Sequence, residues 1–194
     1  MSSPHAQGAG PRKAQEIFDA TLELLAEHGY DGLTIEAVAR RAEVNKTTIY
    51  RWWSSKDQLI VSALIDSRAL EFDVPDTGSL RGDLQSLAAQ IARLLTVSPS
   101  AQIASLALSA DPRRPELATL FRAFFADRMA REEPIFERAR ARGELEPGTD
   151  PSMVMDLLAG AVWFRVLLRS GSASPDYLAE IVEMVLRAVQ PVRD

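Results

Sequence analysis

The sequence predicts an all-α chain of about nine helices. Three observations carry this. Apolar residues recur at helical spacing from Pro11 to the last turn, there is no β-branched alternation or hairpin signal, and capping residues repeatedly stand just before helical runs. Residues 1–10 are rich in Ser, Pro, Gly and Ala and have little to bury, so they read as a disordered tail. In the first helix Ile17, Thr21, Leu24, Leu25 and His28 share a face, and Gly29 stands where a left-handed cap would end it. His28 there reads as a partner for the helix C-terminal dipole. Thr34 caps a second helix with Ile35, Val38, Ala39 and Ala42 on its apolar face, and Asn45 caps a third. Ser55 with Gln58 forms a capping box that opens a fourth helix reaching about Leu70.

A loop, VPDTG, follows between Asp73 and Gly78, and the domain boundary belongs nearby. Beyond it, Ser98-Pro99, Asp150-Pro151 and Ser174-Pro175 each place a cap before a proline at the first helical position. Gly143 and Gly171 fall at C-terminal cap positions. Pro134 interrupts the helical run from Pro115 to Arg142, so a kink or break is expected there. The resulting organisation is a tail (1–10), a small N-terminal helical domain (11–57) and a larger helical domain (58–194).

Composition narrows the function classes. The chain of 194 residues is 46% apolar, enough for one or two cores. No apolar run approaches the roughly 20 residues of a membrane span, and the N-terminus has no apolar signal region. Cysteine is absent, which excludes thiol chemistry and fits a cytoplasmic protein. There is no Gly-rich phosphate loop and no metal-spaced cluster, so neither an enzyme, nor a metal site, nor a cofactor is expected. Glu132 and Glu133 are adjacent and read as a solvated face. The net charge of −5 falls entirely in residues 57–194, whereas five basic residues lie between Arg40 and Lys56. A neutral N-terminal part can thus hide a basic face, while the acidic remainder is repelled by phosphate.

The stretch from Thr34 to Gln58 has the chemistry of a major-groove reader. It is a short helix, a tight turn and a second short helix. Asn45 opens the second of these, leaving backbone N–H groups to face an anion. Lys46, Thr47 and Thr48 occupy its first turn, where side chains reach base edges. Tyr50, Arg51 and Trp52 form a wall against the backbone, and Thr34 and Lys56 add phosphate contacts at neighbouring helix starts. Ile49 and Trp53 read as core. Arg40 and Arg41 fit either phosphate contact or a solvated face.

These residues carry a resemblance. IFDATLELLAEHGYDGLTIEAVARRA and the following VNKTTIYRWWSSKDQL, from Arg12 to Leu59, resemble the DNA-binding domain of TetR-type transcriptional repressors. The family pattern is similar to V-S-K-x-T-[IL]-Y-x-x-F-x-S-K-x-x-L. Asn45 stands for its serine, Trp53 for its phenylalanine, and Glu43 for the glycine usual in the turn, which suggests a different backbone angle there. The resemblance implies phosphate contacts at Thr34, Tyr50 and Lys56, and base-edge contacts around Lys46, Thr47 and Thr48. Arg51 and Trp52 would stand near the groove wall. The segment GSLRGDL (78–84) also resembles one C-terminal subgroup of the family.

The helix from Ser152 to Arg169 is apolar on nearly every face, which suggests burial against both its own core and a second subunit. With the last helix it would pair with its symmetry mates as a four-helix bundle, through Val154, Leu158, Val162, Leu178, Ile181, Val182, Val185 and Val189; the resemblance implies the same. Such a dimer would set two reading helices roughly 34–36 Å apart or more. Leu106, Phe121, Phe124, Phe125, Met129, Met155, Trp163 and Phe164 are candidates for a pocket holding a small hydrophobic effector, against the plainer reading that they pack the core. Arg165, charged within an apolar helix, fits an ion pair, a pocket wall or a rim. The functional expectation is a homodimeric, sequence-specific DNA-binding regulator: a repressor released from a palindromic double-stranded operator by that effector. The alternative is a ligand-independent helix-turn-helix activator or architectural protein.

Overall fold

A computed structural model describes residues 12–97, 99–108 and 115–190, without the side chains of 69, 106–108 and 115–117. The expected tail, the Ser98 cap and the Leu106 side chain lie outside the described residues. Among those described, nine α-helices and no strand occur. They are α1 (Ala14–Gly32), α2 (Ile35–Arg41), α3 (Lys46–Trp52), α4 (Lys56–Asp66), α5 (Leu80–Thr96), α6 (Ser100–Leu108), α7 (Pro115–Ala141), α8 (Pro151–Trp163) and α9 (Pro175–Val189).

The helix starts follow from side-chain caps that satisfy orphan N–H groups. Thr34 accepts from the Ala37 N–H, Asn45 from Thr47, Ser55 from Gln58, Asp150 from Ser152 and Ser174 from Tyr177. Ser79 does the same for α5 through the Gly82 N–H. The first helix breaks at Gly29, but not as a left-handed cap: φ 67 with ψ −176 is a conformation open essentially to glycine alone. The α2–α3 turn also differs from expectation. Glu43 keeps a positive φ of 52, so the turn retains the left-handed backbone of a glycine at a non-glycine residue. Lys13 Nζ lies 3.4 Å from the Glu43 carbonyl and 3.5 Å from that of Ala42, bracing the turn.

Three further expectations are corrected. The fourth helix stops at Asp66 and is followed by a 3-10 turn, Arg68–Leu70. Pro134 does not break α7, which runs through it from Pro115 to Ala141. Its buried neighbours Ile135 and Phe136 pack into the core, and that packing holds the helix across the missing N–H. Past α8 the backbone forms a π-helical turn, Phe164–Leu168, and Ser170 rather than Gly171 takes positive φ. A Cβ at Gly171 would sit 2.8 Å from Arg165 Nε, so any larger residue there would make Arg165 shift. Arg165 clips this bend, donating to the Ser172 carbonyl at 3.2 Å and covering the Tyr177 ring.

Two cores result. The first joins α1 to α4 with Leu70, Ile103, Leu120 and Phe121; the second joins α5, α8 and α9 with Ile135, Phe136 and Ala139 of α7. Each fully buried Leu, Ile or Phe in them contributes about 1.5–3 kcal/mol. By length and composition the stretch Pro151–Leu168 could cross a membrane. Its Val154, Leu158 and Val162 are instead the inner face of the second core.

Candidate nucleic-acid interface and effector cavity

Helix α3 is seated by Ile49 and Trp53, both buried, the latter edge-to-face with Phe18 at 5.5 Å. At 100° per residue, Lys46, Thr47, Tyr50 and Arg51 form one stripe away from Ile49. All four are exposed. Trp52, though 43% exposed, lies on the other side from that stripe, and Thr48 is half-buried at its edge. The Thr47 hydroxyl donates to Asn45 Oδ1 at 2.9 Å, which ties its side chain to the cap. Lys46 Nζ stands 3.9 Å from Glu36, both side chains solvated. A pair so exposed contributes little and releases easily to a phosphate.

Lys56 is placed differently from expectation. Its ammonium donates to the Tyr30 carbonyl at 2.9 Å and sits 3.9 Å from the centre of the Tyr30 ring, whose hydroxyl donates to Asp57. It therefore braces α4 against the end of α1. Arg41 is likewise engaged, in a bidentate pair with Glu27 at 2.8 and 2.9 Å. That pairing holds the Glu27 carboxyl below its ordinary range and the guanidinium above its own. Arg40 is exposed beside Thr34 at the rim of the α1–α2 cleft. His28 lies 3.5 Å from Glu27.

A cavity of about 360 Å³ opens between α5, α7 and α8. Phe124, Phe125, Met129, Met155 and Trp163 line it, as the sequence suggested. Phe121 does not: it is buried in the first core. Phe164 is on the outer surface, 55% exposed. The sequence reading missed Phe72, Ile91, Leu94, Arg128, Glu132 and Asp156. Glu132 is the sharpest correction, because it is 3% exposed, while its neighbour Glu133 pairs with Arg140 in solvent. Adjacency in a helix puts two residues on different faces, so one can be solvated and the other enclosed.

The residues expected at a dimer face are also placed elsewhere. Val154, Leu158, Val162, Leu178, Val182, Val185 and Val189 are enclosed in the chain's own second core, and Ile181 packs against it half-buried. Apolar surface remains instead at Met153, Leu157, Phe164, Leu168 and Met184. A helix apolar all round has no period from which to tell inner from outer face.

The family descriptions that match this chain cover both halves. Residues 17–63 match "Bacterial regulatory proteins, tetR family", and residues 74–185 match "Tetracyclin repressor-like, C-terminal domain". The chain belongs to the TetR family. Among its relatives is YdeS of Bacillus subtilis, an uncharacterized HTH-type transcriptional regulator, 32% identical over 93% of this chain and 90% of that one. AqdR of Rhodococcus erythropolis, an HTH-type transcriptional regulator, is 35% identical over 85% of this chain and 79% of its own. The crystal structure of another TetR family transcription regulator superposes with a TM-score of 0.74 at 31% identity, over 93% of this chain and all of that one. This TetR-family chain is accordingly an all-α, helix-turn-helix DNA-binding transcriptional regulator.

Proposed function

We propose that this regulator is a repressor that grips a palindromic operator as a homodimer and is released when a small hydrophobic effector enters the α5–α7–α8 cavity. The observation that carries the reading is the cavity's place beside the reading head. Arg128 of its wall donates to the Leu70 carbonyl at 2.7 Å, and Arg131 one turn away reaches the Ile65 carbonyl and Asp66. A change of α7 at the cavity is thereby passed to the end of α4, and α4 packs on α1 in the head. An effector that prefers one spacing of the two heads shifts the equilibrium by its differential affinity and no more.

In this reading residues 11–57 meet DNA and 58–194 sense and dimerise, in the cytoplasm. Lys46, Thr47 and Thr48 face base edges, and Thr34, Asn45, Tyr50 and Arg51 face the backbone, while Trp52, on the opposite side of α3, stays off the DNA. Lys56 acts mainly by bracing Tyr30. The second subunit covers Met153, Leu157, Phe164, Leu168 and Met184. The experiment is selection of random duplexes by the purified protein at two salt concentrations. An enriched palindrome supports the reading. Phosphate-only binding that selects no sequence and vanishes at modest salt counts against it.

A further inference from the structure

The α5–α7–α8 cavity is apolar except at Arg128, Glu132 and Asp156. Glu132 is 3% exposed, and its Oε2 has no hydrogen-bond partner. A buried carboxylate left so is costly unless something supplies a donor or a countercharge. Arg128, one turn earlier on α7, does not supply the bond. Its Nη2 is committed to the Leu70 carbonyl at 2.7 Å, and its guanidinium lies 4.0 Å from the centre of the Phe72 ring and 5.4 Å from that of Phe124. Asp156 adds a second negative charge from α8 at the exposed side of the cavity. With Glu132 ionised, two acids against one base leave the lining with a net negative charge. An occupant without a hydrogen-bond donor, anionic or inert, would leave an ionised Oε2 unpartnered.

We infer that the effector is a lipophilic cation, an aromatic or alicyclic amine, whose ammonium donates to Glu132 Oε2 while its ring packs among Phe124, Met129, Met155 and Trp163. This rests on the reading of the cavity as the effector site. Burial pushes the Glu132 carboxyl up to about 7, with Arg128 only partly opposing, so the empty site holds its charge weakly and an arriving cation restores it. A charge-assisted bond made out of water is stronger than a neutral one, and the apolar walls keep it so.

The test is calorimetric titration of the full-length protein with three probes sharing one ring system: naphthylmethylamine, naphthylmethanol and naphthoate. The expected result is that the amine binds about tenfold or more tighter than the alcohol, with the carboxylate weakest. Glu132→Gln should erase the preference for the amine and leave alcohol binding in place. Gly160→Leu, at a cavity-lining position where an added Cβ meets nothing within 4 Å, should weaken all probes that bind. Equal binding of amine and alcohol, or a preference for the carboxylate, overturns the cation inference and leaves the cavity as effector site. Binding that ignores Gly160→Leu, or no binding by any probe, overturns the cavity reading as well.

Discussion

Replacing Glu132 by leucine should stabilise the protein, and the gain should grow with pH. The carboxyl titrates from 4.5 when solvated to about 7 in the fold, because burial disfavours its charged form more than Arg128 favours it. The charged groups around it are Arg128 on its own helix and Asp156 on α8; α5 presents only Ile91 and Leu94. Below pH 4.5 the group is protonated in both states and contributes no pH dependence. Between 4.5 and 7 the unfolded chain releases a proton that the folded chain retains, so stability falls as pH rises. Above 7 the full penalty applies, about 3 kcal/mol at 1.36 kcal/mol for each tenfold. A neutral carboxyl with an unpartnered oxygen costs a further amount, about 1 kcal/mol, at every pH. Leucine removes both. At about 2–4 °C per kcal/mol for a chain of this size, the variant should melt about 3 °C higher near pH 4.5 and about 10 °C higher near pH 8.5. Thermal melts of the two proteins across that range, taken as differences, cancel every other titrating group. A difference that does not change with pH, or a variant less stable at pH 8.5, would refute the reasoning.

Three other outcomes follow from the geometry. Glu43→Gly should raise stability by about 0.5–1 kcal/mol, since left-handed strain of about 1–2 kcal/mol outweighs the extra unfolded-state freedom of glycine; a fall in melting temperature of two degrees or more would contradict it. Lys56→Ala should lower stability by about 1–2 kcal/mol in urea titrations by removing the Tyr30 carbonyl bond and the ring contact, whatever it does to DNA binding. An unchanged midpoint would mean the brace is idle. Leu157→Asp, on the exposed apolar side of α8, should shift the species seen by sedimentation toward monomer, whereas Val154→Ala should cost about 1–3 kcal/mol of folding instead; a dimer untouched by Leu157→Asp would place the interface elsewhere.

What could be read from sequence was what local chemistry decides. Thr34, Asn45, Ser55, Asp150 and Ser174 announce helix starts because a cap needs only its own next turn. Ile49 is readable as core from the apolar face it continues, and Trp53 from its place just before the Ser55 capping box. The cavity was half readable, because Phe124, Phe125, Met129, Met155 and Trp163 are bulky apolar residues, but Phe121 and Phe164 are too, and only packing separates them. Glu132 was unreadable: nothing in REEP distinguishes a buried glutamate from a solvated one. Lys56 fits a phosphate contact by type, yet the position of Tyr30 decides what its ammonium touches. The dimer-face reading failed on α8 for a related reason, since a helix without a polar side does not say which half of it folding will enclose.

Helix α7 also limits how this protein could be rebuilt. It places Leu120 and Phe121 in one core and Ile135, Phe136 and Ala139 in the other, along a continuous rod of about 40 Å. One residue inserted between Phe121 and Ile135 would swing the two apolar faces about 100° apart, so the spacing is fixed like teeth on a key. A crossover in the loop at 73–78 would fare no better. It would carry α1 to α4 away from Ile103, Leu120 and Phe121 and leave the transplanted head with an open floor. New specificities can therefore arise in this chain by changing side chains on α3 or around the cavity, but not by exchanging one half at the loop where the sequence invites the cut.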